Sequence, residues 1–183
     1  MTLCKKILDL LQRFRSREDG IAAVEAGFVM PIMILLYLGS VELSFGIIAD
    51  RKLTVATQTV ADLITQYQVI DDATVDGVYT AASQIMAPYT TTTLGVDVTG
   101  ITVDAAGTAT VAWTEHRGAG TAKHAVNDTV TLPASINTPN SFIVFVEGGY
   151  GFNAGTHYFV QSQIDMSDQF YMRPRIADTI VFN

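Results

Sequence analysis

A single carboxylate, Glu25, interrupts an otherwise apolar run that begins just after Gly20 and continues through Val41. A charged side chain at the centre of a membrane span costs about 2.5–3.5 kcal/mol on insertion scales, so a carboxylate in such a segment usually has a function. When it is buried in a helical bundle, it needs a cation as its partner. The start of this segment is therefore the first candidate for a functional site.

The other candidates for chemistry are the three histidines, His116, His124 and His157. His116 and His124 lie eight residues apart, without a cysteine partner and without the i, i+4 spacing of helical zinc ligands. We therefore predict solvated loop histidines and no metal. The chain has no G-x-S-x-G motif, and the Gly-rich run 148–155 lacks the Lys-Ser/Thr of a phosphate-binding loop. The sequence thus predicts no catalytic residue and no cofactor, and it predicts a turn between strands at 148–155.

Composition and charge limit the possible classes of function. The 183 residues suffice for a leader, one membrane span and one domain of ordinary size. Residues 1–20 are basic, whereas the rest of the chain has 6 basic and 15 acidic residues, a formal charge of −9. A body this acidic argues against nucleic-acid binding. A basic leader before an apolar run is typical of the cytoplasmic flank of a span. The only cysteine, Cys4, excludes an intramolecular disulfide.

Three interpretations of the N-terminal segment compete. A secretory signal peptide would have an apolar core of about 7–15 residues with small residues after it, whereas here the small residues, such as Ala22 and Ala23, come first. An uncleaved signal anchor needs roughly 20 apolar residues, which 21–41 supply, but it gives Glu25 no role. A membrane-inserted precursor that is cut after Gly20 accounts for the glycine, the glutamate and the basic leader together. We favour this third interpretation.

The helices that position these residues follow from the periodicity of the apolar side chains. Apolar residues at steps of three and four between 49 and 68 predict one long helix from about 21 to 68. Pro31 predicts a kink in it, and Glu42 is expected to be solvated at the edge of the membrane. Asp71 or Asp72 is expected to cap a second helix that ends at Pro88.

Beyond the helices, the period of the apolar residues changes to two, which indicates strands. The turn signal at 104–107 predicts a hairpin. The predicted segments are strands at 94–103 and 108–114, a long irregular region at 116–140, and an antiparallel pair formed by 141–147 and 157–166.

The N-terminal pattern resembles the TadE-like pseudopilins of tight-adherence (Tad/Flp, type IVb) pilus systems. The residues that carry the resemblance are 20–25, the Pro-containing run 29–36 and residues 39–42, with a looser similarity at 141–175. This resemblance implies an α+β, pilin-like fold. The implied domains are a basic cytoplasmic leader at 1–20, a transmembrane helix at 21–48, and a periplasmic domain at 49–183 with a second helix and an antiparallel sheet.

The same resemblance implies a function. A prepilin peptidase would cut between Gly20 and Ile21, and Glu25 would pair with the freed amine of Ile21 on an adjacent subunit. The implied partners are this peptidase, other Tad pilins, inner-membrane assembly proteins and the lipid bilayer. Major Flp pilins are much shorter and have Tyr directly after this glutamate, where this chain has Ala26. The resemblance therefore implies a minor pilin or pseudopilin that takes part in assembly of a pilus for surface adhesion, and not an enzyme.

The alternative is an uncleaved, signal-anchored periplasmic domain with a binding or enzymatic role. Its acidic body would then bind a ligand in the region of the sheet and its loops.

Overall fold

The computed structural model describes residues 18–155 and 161–183. The chain divides into two units, Met1–Leu43 and Ser44–Asn183. The fold is mixed α+β with an antiparallel sheet, as the sequence predicts. The elements in chain order are α1 (Glu18–Ile64), β1 (Val69–Ile70), α2 (Asp72–Ile85), β2 (Leu94–Val103), β3 (Ala109–Gly118), β4 (Ser141–Phe152), β5 (Ile164–Met172) and β6 (Val181–Phe182). The predicted domain limits at 20/21 and 48/49 stay predictions.

Helix α1 ends at Ile64, four residues before the predicted end. The hydroxyl of Thr65 donates to the carbonyl oxygen of Asp62, and the amide of Gln66 bonds to Leu63 three residues back, so the last turn tightens and stops. The chain then forms β1, which pairs in parallel with β6. Two strands of two residues each carry too little periodicity to be found from sequence.

Helix α2 begins where the sequence predicts. The carboxylate of its N-cap residue, Asp71, accepts from the amide of Thr74 at 2.8 Å and from its hydroxyl at 2.6 Å. These bonds from the Thr74 hydroxyl and amide lower the pKa of Asp71 below its ordinary value. The helix ends at Ile85, shortly before Pro88, and its apolar face is buried.

The four-stranded sheet has the order β3-β2-β4-β5, with every neighbouring pair antiparallel. The predicted hairpin between β2 and β3 is present. Asp104 accepts from the amides of Ala106 and Thr108, each at 2.8 Å, and Gly107 has a φ of +85°. Strands β2 and β3 shift register between Gly100 and Ile101, and Gly100 is needed there because a β-carbon would lie 2.3 Å from the Trp113 ring.

Three predictions about strand limits are wrong. Strand β3 runs on to Gly118, so His116 belongs to a strand and not to a loop. Strand β4 includes the first part of the Gly-rich run, for which the sequence predicts a turn. The reason is packing: a β-carbon on Gly148 would lie 2.1 Å from Thr57 Oγ1 of α1, so glycine lets the helix approach the strand. The predicted antiparallel pairing of the last two long strands is confirmed, but β5 runs from Ile164 to Met172 and not over 157–166, of which residues 157–160 lie outside the described residues.

Each face of the sheet has its own apolar core. On one face, α1 and α2 cover a large cluster that includes Leu53, Val98 and Val146. On the other face, Leu132 from the segment 119–140 packs with Ile143 and Phe145. The sheet is therefore the central layer, with helices on one side and an irregular segment on the other.

Candidate functional site: the apolar helix and the polar row

The first part of helix α1 is apolar on all sides and exposed on all sides. Ile21 is 71% exposed, Phe28 74% and Leu36 65%. Among the described residues, one helix, Gly20–Ile64, is long and apolar enough to cross a membrane, and its most apolar window has no buried residue. A helix that is apolar all round is stable only in apolar surroundings. Lipid or neighbouring apolar helices are the surroundings that fit this segment.

The predicted site residues Gly20, Ile21 and Glu25 all lie in this exposed part of α1. Ile21 and Glu25 are four residues apart, so they share one face of the helix, separated by about 6 Å along its axis. The nitrogen of Ile21 is an amide in this intact chain, and a β-carbon on Gly20 would meet nothing within 4 Å. The structure thus places the three residues within two turns, at the start of the apolar surface.

The helix continues through Pro31 without interruption. Proline has no amide hydrogen, and its ring crowds the carbonyl four residues earlier, here that of Gly27. The predicted kink stays a prediction. The expectation of a solvated Glu42 is wrong, because this side chain is only 3% exposed.

His116 lies on strand β3, and His124 is a loop residue whose ring contacts a carboxylate. Asp97 on β2 is the cross-strand neighbour of both His116 on β3 and Glu147 on β4. His116 Nδ1 lies 2.9 Å from the carboxylate of Asp97, and His124 Nε2 lies 2.9 Å from that of Glu147. We call these four side chains the polar row. The prediction of solvated loop residues is therefore wrong for His116, and for His124 it holds for the loop but not for free solvation, while His157 lies outside the described residues.

The polar row has a structural explanation. Two carboxylates opposite each other on neighbouring strands repel, and that repulsion is relieved when each has a cationic or hydrogen-bonding partner. His116 supplies the partner for Asp97, which is only 4% exposed. His124 and the ammonium of Lys123, 3.1 Å from Glu147 Oε1, supply partners for the second carboxylate. The row thus fixes part of segment 119–140 over the outer face of the sheet.

Each histidine has a different carboxylate, so the two do not converge on one point. Within residues 18–155 and 161–183, no group of three or more His, Cys, Asp or Glu side chains could hold a metal ion. Sequence reasoning missed the pairs because Asp97 and Glu147 are distant along the chain from their histidines. Asp97 stands between Val96 and Val98, where the alternation of a strand already predicts a polar residue, so the sequence carried no local signal of its pairing.

Arg117 forms a second ionic cluster, on the face that α2 covers. Its guanidinium reaches Asp72 at 2.6 Å, Asp76 at 2.5 Å and Glu115 at 2.8 Å. Partial burial works against the charged form, but the hydrogen bonds to Asp76, Glu115 and Asp72 outweigh it, so the pKa of Arg117 is raised. The cluster links α2 to the end of β3, so its role is to hold the helix against the sheet.

A cleft of about 330 Å³ lies beside the start of β5. Three glycines line the cleft together with a few polar side chains, among them Thr93, Gln163 and Asp165. Asp165 accepts a hydrogen bond from Gln163 at 2.6 Å. The Thr93 hydroxyl donates to the carbonyl of Gly151 at 2.8 Å, so these three polar side chains are engaged within the protein.

Comparison with known proteins identifies the N-terminal part of the chain. Residues 20–62 match the family model of TadE-like proteins. Neither the curated proteins nor the solved structures give a match. The matched region begins at Gly20 and includes Glu25, Pro31 and Glu42, the residues on which the resemblance is based. TadE-like pilins are a structural, non-enzymatic family, and an apolar helix in such a segment indicates membrane anchoring. Residues 20–62 are therefore a TadE-like segment, which confirms the family resemblance for this part of the chain, less than a quarter of its length.

Proposed function

We propose that this protein is a minor pilin or pseudopilin of a Tad/Flp pilus, cut after Gly20 by a prepilin peptidase. The observation that carries the proposal is Glu25, five residues after Gly20 and the one charged residue between Ile21 and Val41, in the part of α1 that is apolar and exposed on all sides. Its proposed task is assembly of a pilus for surface adhesion. Other Tad pilins and inner-membrane assembly proteins are its proposed partners.

The proposed cut changes the electrostatics of the helix. Hydrolysis of the peptide bond between Gly20 and Ile21 adds water, leaves a carboxylate on Gly20 and frees an amine on Ile21. A free α-amine has a pKa of about 7.7–8.0, so most of it is cationic at neutral pH. Before the cut the nitrogen of Ile21 is an uncharged amide. Processing thus creates a cation one helical turn from Glu25.

This cation supplies what Glu25 needs in an apolar bundle. The new positive end of the helix favours a nearby carboxylate by about 0.3–1 kcal/mol on its own. A neighbouring helix shifted by about 6 Å along the common axis would bring its Ile21 amine level with Glu25. An ion pair between subunits would then offset the cost of removing both charges from water. The basic side chains of residues 1–20 cannot serve, because they leave with the leader.

The proposed topology follows from charge and length. The basic leader favours the cytoplasmic side, and the apolar part of α1 crosses the membrane once. The acidic remainder then lies in the periplasm, with the sheet and α2. The large domain and Ala26, where major pilins have Tyr, support a minor subunit over the bulk fibre subunit.

A matched pair of glycine variants tests the proposed cut. Gly20 and Gly27 both lie in α1, and a β-carbon at either position would meet nothing within 4 Å. We expect Gly20→Leu to accumulate as the uncut precursor in cells that contain the peptidase, while Gly27→Leu is processed normally. The measurement is the size of the membrane-extracted protein. Normal processing of Gly20→Leu would contradict the proposal.

The alternative, an uncleaved anchored domain that binds or converts a ligand, has less support. Its motivation is the region 116–140, yet His116 and His124 there are engaged with Asp97 and Glu147. The remaining feature in its favour is the cleft beside β5. Full function of a soluble fragment that starts near Lys52 would support this alternative and contradict the proposal.

A further inference from the structure

The two edges of the four-stranded sheet differ in how they are covered. At the β3 edge, the amide of Val111 donates to the carbonyl of Asp128 and the amide of Val130 donates to the carbonyl of Ala109. Further along the same strand, Arg117 binds α2, and the Trp113 indole donates to the carbonyl of Ile180 at 2.7 Å. The segment 127–130 therefore covers the backbone of this edge near Ala109 and Val111, and side chains further along β3 pack against the helices and the C-terminal part of the chain.

The β5 edge is open within the part of the chain that the structure describes. β5 pairs with β4 over nine positions without a register shift, and it is the last strand of the sheet. No backbone hydrogen bond joins its other edge to residues 18–155 or 161–183. The amide of Gln169 donates to the carboxylate of Asp168 at 2.8 Å, so it faces away from β4. By the alternation of an antiparallel ladder, residues 165, 167, 169 and 171 present their N–H and C=O groups at this edge.

An edge of this kind is unusual for a protein that stays alone. Natural sheets blunt exposed edges with short strands, prolines, bulges or charged side chains, most often lysines. β5 has nine residues, spans about 30 Å, and contains no proline, lysine or bulge. Its charged residues are Asp165 and Asp168, which lie on opposite faces of the sheet because they are three residues apart. The edge thus offers a long row of backbone groups marked by two negative charges.

We propose that the open edge of β5 accepts an extended strand of a partner protein, with Lys or Arg opposite Asp165 and Asp168. Backbone hydrogen bonds would supply the affinity, and the opposite charges across the new strand pair would favour a basic strand over a neutral or acidic one. A second copy of this chain is a poor partner. Pairing two β5 strands would bring Asp165 and Asp168 of both copies to one interface, and residues 21–183 of each copy carry a formal charge of −9. A basic side chain of the partner strand would also bind the Asp168 carboxylate, so the Gln169 amide that now donates to this carboxylate would be released for backbone pairing. The inference rests on the sheet alone and does not depend on a cut after Gly20.

A synthetic strand tests this inference on the full chain in detergent micelles. The probe is a nine-residue peptide of Val and Thr with Lys at the positions opposite Asp165 and Asp168. We expect it to bind and to slow amide hydrogen exchange within residues 164–172, with little change in β3. Raising the salt concentration should weaken binding, because the charged contacts are exposed.

Two controls separate strand addition from simple charge attraction. The same peptide with N-methyl groups on the amides that face β5 keeps its charges but loses its donors, and we expect it to bind at least about tenfold more weakly. Ser167→Pro removes one outward amide of β5, and should abolish binding, whereas Ser167→Ala should keep it. If Ser167→Pro fails to fold, the methylated peptide still decides the matter.

Three results would overturn the proposal. Equal binding of the methylated peptide would show charge attraction without strand pairing. No exchange protection within 164–172 would show that the edge does not accept a strand. A dimer of the chain that protects the same residues without peptide would show that a second copy occupies the edge.

Discussion

Replacing Gly148 with alanine should destabilise the domain that holds the sheet, because α1 packs closely on β4 at this glycine. An added β-carbon would lie 2.1 Å from Thr57 Oγ1 and 3.2 Å from Leu53 Cδ1. Thr57 is buried on a helix, and its hydroxyl donates to the carbonyl of Leu53 at 2.9 Å, so it cannot turn away freely. Overpacking of this kind costs about 1–3 kcal/mol. The lower chain entropy of unfolded alanine returns about 0.4–1 kcal/mol. We therefore expect a net loss of about 1–2 kcal/mol, or roughly 3–8 °C in the midpoint of thermal unfolding.

The assay is thermal unfolding of the full chain in detergent micelles, followed by the fluorescence of Trp113. This is the only tryptophan of the chain, and it is buried against the sheet, so it reports on the domain. The matched control is Gly149→Ala, the next residue of β4, where a β-carbon would meet nothing within 4 Å. It should leave the midpoint unchanged or raise it slightly.

A double variant tests the physical reason. Thr57→Ala removes the atom closest to the added β-carbon, so Gly148→Ala should cost less in that background than in the natural chain. Equal effects of Gly148→Ala and Gly149→Ala, or the same cost with and without Thr57, would refute the reasoning.

Three further predictions concern charge. Glu25→Gln should leave the cut intact but reduce co-assembly with other pilins more than about a hundredfold, because an unpaired buried charge costs about 3–5 kcal/mol. Glu25→Asp keeps the charge and should retain part of the assembly. Unchanged co-purification of Glu25→Gln with other pilins would contradict the pairing. Asp71→Ala should destabilise the domain at neutral pH. Because the folded pKa of Asp71 is lowered, the stability that this carboxylate contributes is present above its unfolded pKa and is lost as the pH falls through its folded pKa, so the difference from the natural chain in thermal unfolding should shrink in acid. Burial, and then the charge of Tyr150, raise the pKa of Tyr89, whose hydroxyl donates to the carbonyl of Phe45 at 2.9 Å. Its contribution is thus present below its unfolded pKa and is lost as the pH rises through the folded value, so Tyr89→Phe should flatten the alkaline loss of stability in a pH series.

The sequence predicts those parts of the fold that depend on local rules. The second half of α1 has a regular apolar stripe, Asp71 caps α2 through a neighbour three residues away, and the β2–β3 hairpin follows from Asp104 and Gly107. Each of these features is decided within a few residues along the chain. For the same reason, the order of residues alone is enough to single out the segment from Gly20 to Glu25.

Features that depend on distant partners could not be predicted. The glycines of β4 look like a turn in sequence, and only the approach of Thr57 shows that Gly148 belongs to a strand. His116 looks like a loop residue, and only the register of β2 and β3 shows its pairing with Asp97. Local patterns therefore define the elements here, and the contacts between elements define the polar row.

The central claim is that the chain is processed between Gly20 and Ile21. The most direct measurement is mass spectrometry of the N-terminus of the membrane-extracted protein, from cells with and without the prepilin peptidase. We predict a mature chain that begins at Ile21 when the peptidase is present, and an intact N-terminus when it is absent. An intact start at Met1 in both cells, or a cut near Gly39 or Ser40, would contradict the account.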